Sequence, residues 1–344
     1  MGEIGRSQDA LAQAGYALPA EWEPHRRTWM CWPCRMEAWG SAAQMERARV
    51  ATAEVARTIA QFEPVVMVAR PADSDIAVRA CGGLADIFVA PIDDSWARDT
   101  GPTFLSGEGL AGVVWRFNAW GGKYDGYEND KALAPRILNR AGGRAFPAPL
   151  VCEGGAIHAD GEGTLITTEQ CLLNANRNPD RSREAITAIL CRYTGVQSVL
   201  WLPGEFADVE TDGHVDNIAC FAAPGRIILG IPPARHPDFA AVVGVKQFLG
   251  RARDAEGRAF EIVEMAQPEH AREDWRGRPR AASYVNFYLC NGGLVMPAFD
   301  DPADLPALRV LKDCFPGREV VQISARDFVE GGGGIHCITQ QEPL

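Results

Sequence analysis

Gly154-Gly155-Ala156-Ile157-His158 and Gly332-Gly333-Gly334-Ile335-His336 are two versions of one segment, and each follows a helical pattern and a strand-like run. An echo of this kind marks a repeated supersecondary unit, so the chain between and before them is read for further copies. The clearest helix covers 41–62, where Met45, Ala48, Thr52, Val55, Ile59 and Phe62 recur at spacings of three and four behind a Ser41-x-x-Gln44 capping box. Others are predicted to start near Asp130 (Leu133, Ile137, Leu138), Ser182 (Ile186, Ile189, Leu190, stopped by Gly195), Asp238 (Val242, Val245, Leu249) and Asp301 (Leu308, Leu311, Phe315, ended by Pro316-Gly317). Strand-like runs follow these helices at 65–68, 150–152, 198–202, 261–265 and 319–323. Further strands are predicted at 86–92, 112–117, 164–168, 217–221, 226–229, 283–289 and 294–297. The helix starts recur with a loose period of roughly 60 residues. An evenly spaced α/β sandwich would show the same period, but the echoed glycine-rich segment favours repeats. Five such units do not easily make an open one-faced sheet, whereas they can close into a ring around a channel. No low-complexity block or linker divides residues 1–344, so one continuous domain is expected.

The balance of 34 Lys+Arg against 45 Asp+Glu gives a net charge of −11, which repels phosphate backbones and argues against a nucleic-acid partner. The first twenty residues, with Glu3, Arg6 and Asp9, build no apolar core of a secretory signal, and no apolar run reaches membrane-spanning length. Ten cysteines are scattered through the chain, several of them inside apolar runs, which suits reduced thiols in a cytoplasmic compartment better than a disulfide framework.

Acids, Gly, His and Cys collect in the segments that follow the strands: 92–102, 152–155, 210–217 and 330–337. In a closed ring these ends converge, so groups distant in sequence share one site. Cys337 follows four glycines and lies between Ile335 and Ile338, a packed setting in which a thiol paired with a distant His can serve as nucleophile. In Asp212-Gly213-His214-Val215-Asp216, strand alternation would put both acids and the imidazole on one face. A solvated hairpin or a metal site would read the same way, but there is no HExxH pair and no matched pair of CxxC motifs. Cys31-Trp32-Pro33-Cys34 lacks the second pair that zinc needs and the preceding strand of a redox unit. Asp94, Asp99 and Glu153 would ordinarily be surface acids; interleaved with Trp96 and Arg98, and followed by Thr100-Gly101-Pro102, they suggest a mixed aromatic and acidic pocket.

At these residues the chain resembles the agmatine deiminase family, within the broader group of peptidylarginine deiminase-type, guanidine-modifying enzymes. The matching stretches are 19–25 with 29–33, then 93–102, 153–179, 211–217, 284–297 and 332–343, in order and over nearly the whole chain. The resemblance implies a five-bladed α/β propeller, the pentein fold of ββαβ-type repeats, and hydrolysis of agmatine to N-carbamoylputrescine and ammonia without metal or organic cofactor. It implies Cys337 as nucleophile and His214 as acid/base. Asp99 and Asp216 then grip the guanidinium, Glu153 is the acid beside His214, Trp96 is an aromatic wall, and Glu210 lies where an acid meets the distal ammonium. Related enzymes are commonly oligomeric, so a homodimer is expected. One position departs from the family pattern, Gly334 standing where Asn is usual before Ile335.

The rival readings are a deiminase of arginine, peptidyl-arginine or a methylated arginine, and a non-catalytic polyamine-binding propeller. An α-carboxylate on the substrate calls for a nearby cation, whereas agmatine's second amine calls for an acid such as Glu210 or Asp212. A nitrilase-type Glu-Lys-Cys set fits poorly, since Lys123, Lys131, Lys246 and Lys312 lie near no cysteine motif.

Overall fold

The structure, a computed structural model, describes residues 15–270, 272–273, 279–280 and 282–344. Most of the N-terminal stretch that lacks a signal pattern, including Glu3, Arg6 and Asp9, lies outside the described residues.

One unit recurs five times: a short strand, an antiparallel partner, a helix, and a third strand parallel to the second. The second unit has Thr103–Gly107, Gly109–Arg116, helix Leu133–Ala141 and Arg144–Val151. The third has Ile157–Ala159, Thr164–Thr168, helix Arg183–Thr194 and Ser198–Leu202. Ala219–Ala223, Arg226–Ile231, helix Phe239–Leu249 and Glu261–Ala266 form the fourth. The fifth is Tyr288–Cys290, Gly293–Ala298, helix Asp304–Cys314 and Glu319–Ser324. The first unit joins the two ends of the chain: C-terminal Thr339–Pro343 pairs antiparallel with His25–Cys31, which pairs parallel with Val65–Ala69, and Ala85–Val89 extends the sheet.

Local chemistry explains the helix limits. Ser41 Oγ accepts the Gln44 N–H, as the capping pattern predicts, but the Gln44 amide reaches Asp327 O instead of returning to the cap. Ser182 caps Arg183–Thr194 through the Ala185 N–H, and Gly195 ends it in the left-handed region at φ 75°. On the helix Ala42–Ile59 the inward residues Ala48, Val55 and Ile59 pack in one cluster with Met67 and with Leu294 and Met296 of the fifth unit. Fully burying a side chain such as Ile59 stabilises the fold by about 1.5–3 kcal/mol.

Several sequence expectations shift. The 283–289 run is strand only at Tyr288–Cys290, and the strand read at 217–221 begins at Ala219, after a 3-10 turn over Val215–Asn217. Helices Ser74–Cys81 and Arg326–Gly331, and strands Thr103–Gly107 and Ile157–Ala159, have no counterpart in the sequence reading. All ten cysteines are free, and every one except Cys191 is buried. Among the described residues no helix is long and apolar enough to cross a membrane.

Candidate active site

Each unit hands the chain to the next through a linker that ends on an antiparallel strand. Gly101, Gly155, Asn217, Asn286 and Cys337 all stand two residues before such a strand, so repetition places them at equivalent positions. The first linker supplies Asp94, Trp96 and Asp99, the second Glu153 and Gly155, the third Glu210, His214 and Asp216, and the last Cys337.

Gly155 lies among three of these groups. A Cβ there would stand 2.6 Å from His214 Nδ1, 2.9 Å from Asp216 Oδ2 and 3.1 Å from Asp99 Oδ1. Its N–H donates to Asp99 Oδ1 at 2.9 Å, so the missing side chain brings one acid onto the backbone and lets the other groups close in. Cys337 Sγ lies 3.7 Å from Asp216 Oδ2. His214 bridges two acids, with Nε2 at 3.3 Å from Glu153 Oε2 and Nδ1 at 3.9 Å from Asp99 Oδ2. The structure thus gathers Cys337, His214, Asp99, Asp216 and Glu153. Trp96, Asp99, Glu210 and Cys337 line one pocket together with Trp120, Thr211 and Gly331 to Gly333.

The pocket walls are fixed from behind. Trp96 and Trp39 stack at 5.6 Å, and both indole N–H groups donate to buried Asp94. Trp120 Nε1 donates to Asp99 Oδ2 at 2.8 Å. The glycine run makes room for these rings: a Cβ on Gly331 would meet Trp39 at 2.2 Å, and one on Gly333 would meet Trp96 at 2.4 Å. At the departing position, a Cβ on Gly334 would stand 2.3 Å from Asn286 Oδ1.

Burial disfavours charge throughout the site, and specific partners decide which groups keep it. It pushes the Cys337 thiol well above its ordinary value, with Asp216 and Asp99 adding to the effect. Burial also works against a charged His214, yet the Asp99 charge and the hydrogen bonds to Cys171 and Glu153 raise its pKa well above the usual imidazole range. Asp99 is raised by burial and by its acidic neighbours Asp216 and Glu153, against the pull of His214. For Asp216 burial is outweighed by the hydrogen bond and charge of His336, which keep the carboxyl below its usual range. For Glu153 it is outweighed by the Arg177 guanidinium and His214.

These supporting partners are the residues that sequence reasoning missed. Arg177 is fully buried, and it joins Glu153 Oε1 to Asp212 Oδ2 at 2.8 Å each. An Arg buried in this way needs a carboxylate partner. His336 Nδ1 lies 2.9 Å from Asp216 Oδ2, and its Nε2 lies 3.0 Å from Glu21, which also binds Arg98 at 3.1 Å. The proposed common face of Asp212, His214 and Asp216 needs correction. Asp212 and Gly213 take positive φ angles of 60° and 79°, so the segment is a turn. Asp212 consequently points to Lys123 at 3.0 Å and to Arg177, away from the other two. Of the two acids considered for a distal amine, Glu210 is the one that lines the pocket, and Tyr124 OH donates to it.

Glu153, Cys171 and His214 place donor atoms within 4.8 Å of one another, near enough to hold a metal ion. Arg177 already neutralises Glu153 and sets a fixed positive charge beside it, which opposes a cation there.

The chain matches the family described as Porphyromonas-type peptidyl-arginine deiminase over residues 17–343. It is 45% identical over 357 residues to the agmatine deiminase of Stutzerimonas stutzeri, covering 96% of each chain, and 42% identical over 355 residues to that of Ectopseudomonas mendocina, again covering 96% of each. Its structure superposes on the agmatine deiminase of Enterococcus faecalis with a TM-score of 0.91 at 35% identity, covering 97% of both chains. The architecture is the α/β pentein fold. The chain therefore belongs to the Porphyromonas-type peptidyl-arginine deiminase family, among the agmatine deiminases.

Proposed function

We propose that the protein is an agmatine deiminase, a hydrolase of C–N bonds in linear amidines that converts agmatine to N-carbamoylputrescine and ammonia through a covalent amidino-Cys337 intermediate. One observation carries the reading: the Cys337 sulfur lies 3.7 Å from Asp216 Oδ2, while the other oxygen of that carboxylate, Oδ1, is buried and has no hydrogen-bond partner among the described residues. Leaving such an oxygen unpaired is costly. A planar guanidinium held by Asp216 and Asp99 would satisfy it and place its central carbon beside the sulfur.

On this reading the bound cation offsets the carboxylates that hold the thiol protonated, so the thiol gives its proton to solvent and Cys337 adds to the guanidinium carbon as thiolate. Protonated His214 gives its proton to the nitrogen that leaves as ammonia, and an amidino thioether remains. His214 then takes a proton from water, whose oxygen attacks the same carbon and expels the thiolate as the ureido product forms. Glu153, braced by Arg177, keeps His214 basic enough to serve in both directions. Trp96 packs against the alkyl chain, and Glu210 receives the distal ammonium. Lys123, a cation at that end, is engaged by Asp212 and by the Glu210 carbonyl, which supports an amine over a substrate carboxylate.

We read the five units as the blades of a propeller within one domain, residues 1–344, with the linkers meeting at its axis. The shared offset of Gly101, Gly155, Asn217, Asn286 and Cys337 supports this. The ten free cysteines support a reducing, cytoplasmic setting.

The test is ammonia release from agmatine, arginine and a peptidyl-arginine, alongside putrescine binding. Agmatine should lead arginine by about 100-fold or more in kcat/KM, because an α-carboxylate facing Glu210 leaves buried charge unpaired. Faster turnover of arginine would overturn the substrate assignment. Putrescine binding without ammonia release from any guanidine would overturn the catalytic one.

A further inference from the structure

We propose that Asn286 is a catalytic residue that stabilises the Cys337 thiolate by donating its side-chain N–H to the sulfur. This rests on the reading of Cys337 as the nucleophile. Asn286 is buried in the fourth linker, at the position equivalent to Cys337 in the fifth. Its Nδ2 lies 3.3 Å from Cys337 Sγ.

The orientation of the amide is decided by its other end. Asn286 Oδ1 lies 3.0 Å from the backbone nitrogen of His336, a group that can only donate. The oxygen therefore belongs there, where the neutral Cys337 thiol can also donate to it at 3.5 Å, and the amino end, at 3.3 Å, is the part of the amide that can serve the thiolate. The same amino group reaches Asn217 Oδ1 at 3.2 Å, and Ser283 Oγ donates to Asn217 O at 2.8 Å, so the amide is anchored to the turn that carries Asp216.

Charge makes this contact matter. The carboxylates acting on the sulfur are Asp216 and Asp99, and both oppose the thiolate. His336 is spent on Asp216 and Glu21, and His214 on Asp99 and Glu153. Arg98 donates its backbone N–H to the Cys337 carbonyl and its Nε to the His336 carbonyl, while its Nη1 is engaged by Glu21. Besides the backbone at Gly334, Asn286 is the donor that favours the anionic sulfur. A neutral amide supplies that hydrogen bond without a charge that would repel a guanidinium. Gly334 is part of the arrangement, since a side chain at 334 would displace the Asn286 amide from its place.

The experiment measures iodoacetamide alkylation of Cys337 against pH by peptide mass spectrometry, together with ammonia release from agmatine, for wild type, Asn286→Ala, Asn286→Asp and Gly334→Ala. A hydrogen bond to an ionised acceptor is worth about tenfold or more in the thiolate population. Asn286→Ala should alkylate about tenfold more slowly at a fixed pH, with its midpoint moved up by about one unit, and kcat should fall at least as much with little change in KM. Asn286→Asp, nearly isosteric but adding a third carboxylate, should fall further. Gly334→Ala should reproduce the alanine phenotype, and it decides the matter if Asn286→Ala does not fold. A merely structural role would lower Tm and leave the alkylation midpoint of every folded variant at the wild-type value, and that result overturns the proposal. The expected alkylation shifts with no ammonia from any guanidine would overturn the deiminase reading, and with it the catalytic role, while leaving the Asn286 contact to the Cys337 thiolate standing.

Discussion

Replacing Gly155 with alanine adds one methyl group where the structure has least room for it. The new Cβ would meet His214 Nδ1 at 2.6 Å, Asp216 Oδ2 at 2.9 Å and Asp99 Oδ1 at 3.1 Å, all inside the 3.4 Å at which ordinary van der Waals contact begins. None of the three can swing into solvent, since all are buried and held by Glu153, His336 and Trp120 in turn. Gly155 does not take a left-handed φ, so the effect is one of volume and not of backbone strain. At least one group must retreat by a sizeable fraction of an ångström, and a misplacement of about 1 Å costs about 100-fold in rate. That corresponds to about 2.7 kcal/mol of lost transition-state stabilisation. Overpacking costs a further 1–3 kcal/mol or so of folding stability. Steady-state ammonia release and urea denaturation measure the two effects separately, with Gly244→Ala as the control. Gly244 lies on helix Phe239–Leu249 with nothing within 4 Å of its would-be Cβ, so alanine there should leave activity intact and stabilise by about 0.4–1 kcal/mol. Activity of Gly155→Ala within threefold of wild type would refute the packed constellation described above.

Three further substitutions separate binding, support and charge. Arg177→Met leaves Glu153 buried without its guanidinium and should cost about 3–5 kcal/mol in denaturant unfolding, while a loss below 1 kcal/mol would remove Arg177 from its supporting role. Glu210→Gln should raise the KM for agmatine about tenfold while leaving turnover of a short alkylguanidine without a second amine unchanged; equal loss on both would place Glu210 outside the distal site. For His336 the sign of the pH effect is fixed. Its pKa is raised, despite burial and Arg98, by Glu21 and Asp216, so its contribution is full below about pH 6.5 and is lost as pH rises through the folded value. Asp216 and Glu21 are lowered in the folded state despite burial, chiefly by His336, so theirs is full above the ordinary carboxylate range and lost in acid. Tm should therefore be highest in mildly acidic buffer, and His336→Gln should flatten the fall above about pH 6.5. A wild-type Tm constant from neutral to alkaline pH would contradict this.

The long elements were legible because their chemistry is local. Ser41 and Ser182 announce helices that they do cap, and the β-branched runs at 65–68, 198–202 and 261–265 are parallel strands, the first buried along its whole length. Strands of three residues such as Ile157–Ala159 carry too little pattern to be read, and 283–289 reads as one strand although Ser283 Oγ accepts the Val285 N–H and turns the chain. That misreading concealed Asn286. The alternation drawn through 212–216 failed because Gly213 lets the backbone adopt a turn that strand periodicity ignores. Cys337, His214, Asp99, Asp216 and Glu153 stood out through their unusual neighbours. The groups that hold them, Arg177, His336 and Glu21, are ordinary charged residues in sequence, and their roles exist only once the linkers have met.

The most direct test is to quench the enzyme with acid during turnover of agmatine and map the protein by mass spectrometry. The account predicts a transient adduct on the Cys337 peptide equal to agmatine less ammonia, with none on Cys171 and none in Cys337→Ala, which should still bind agmatine. Ammonia released by Cys337→Ala at near wild-type rate, or an adduct carried by another residue, would contradict it.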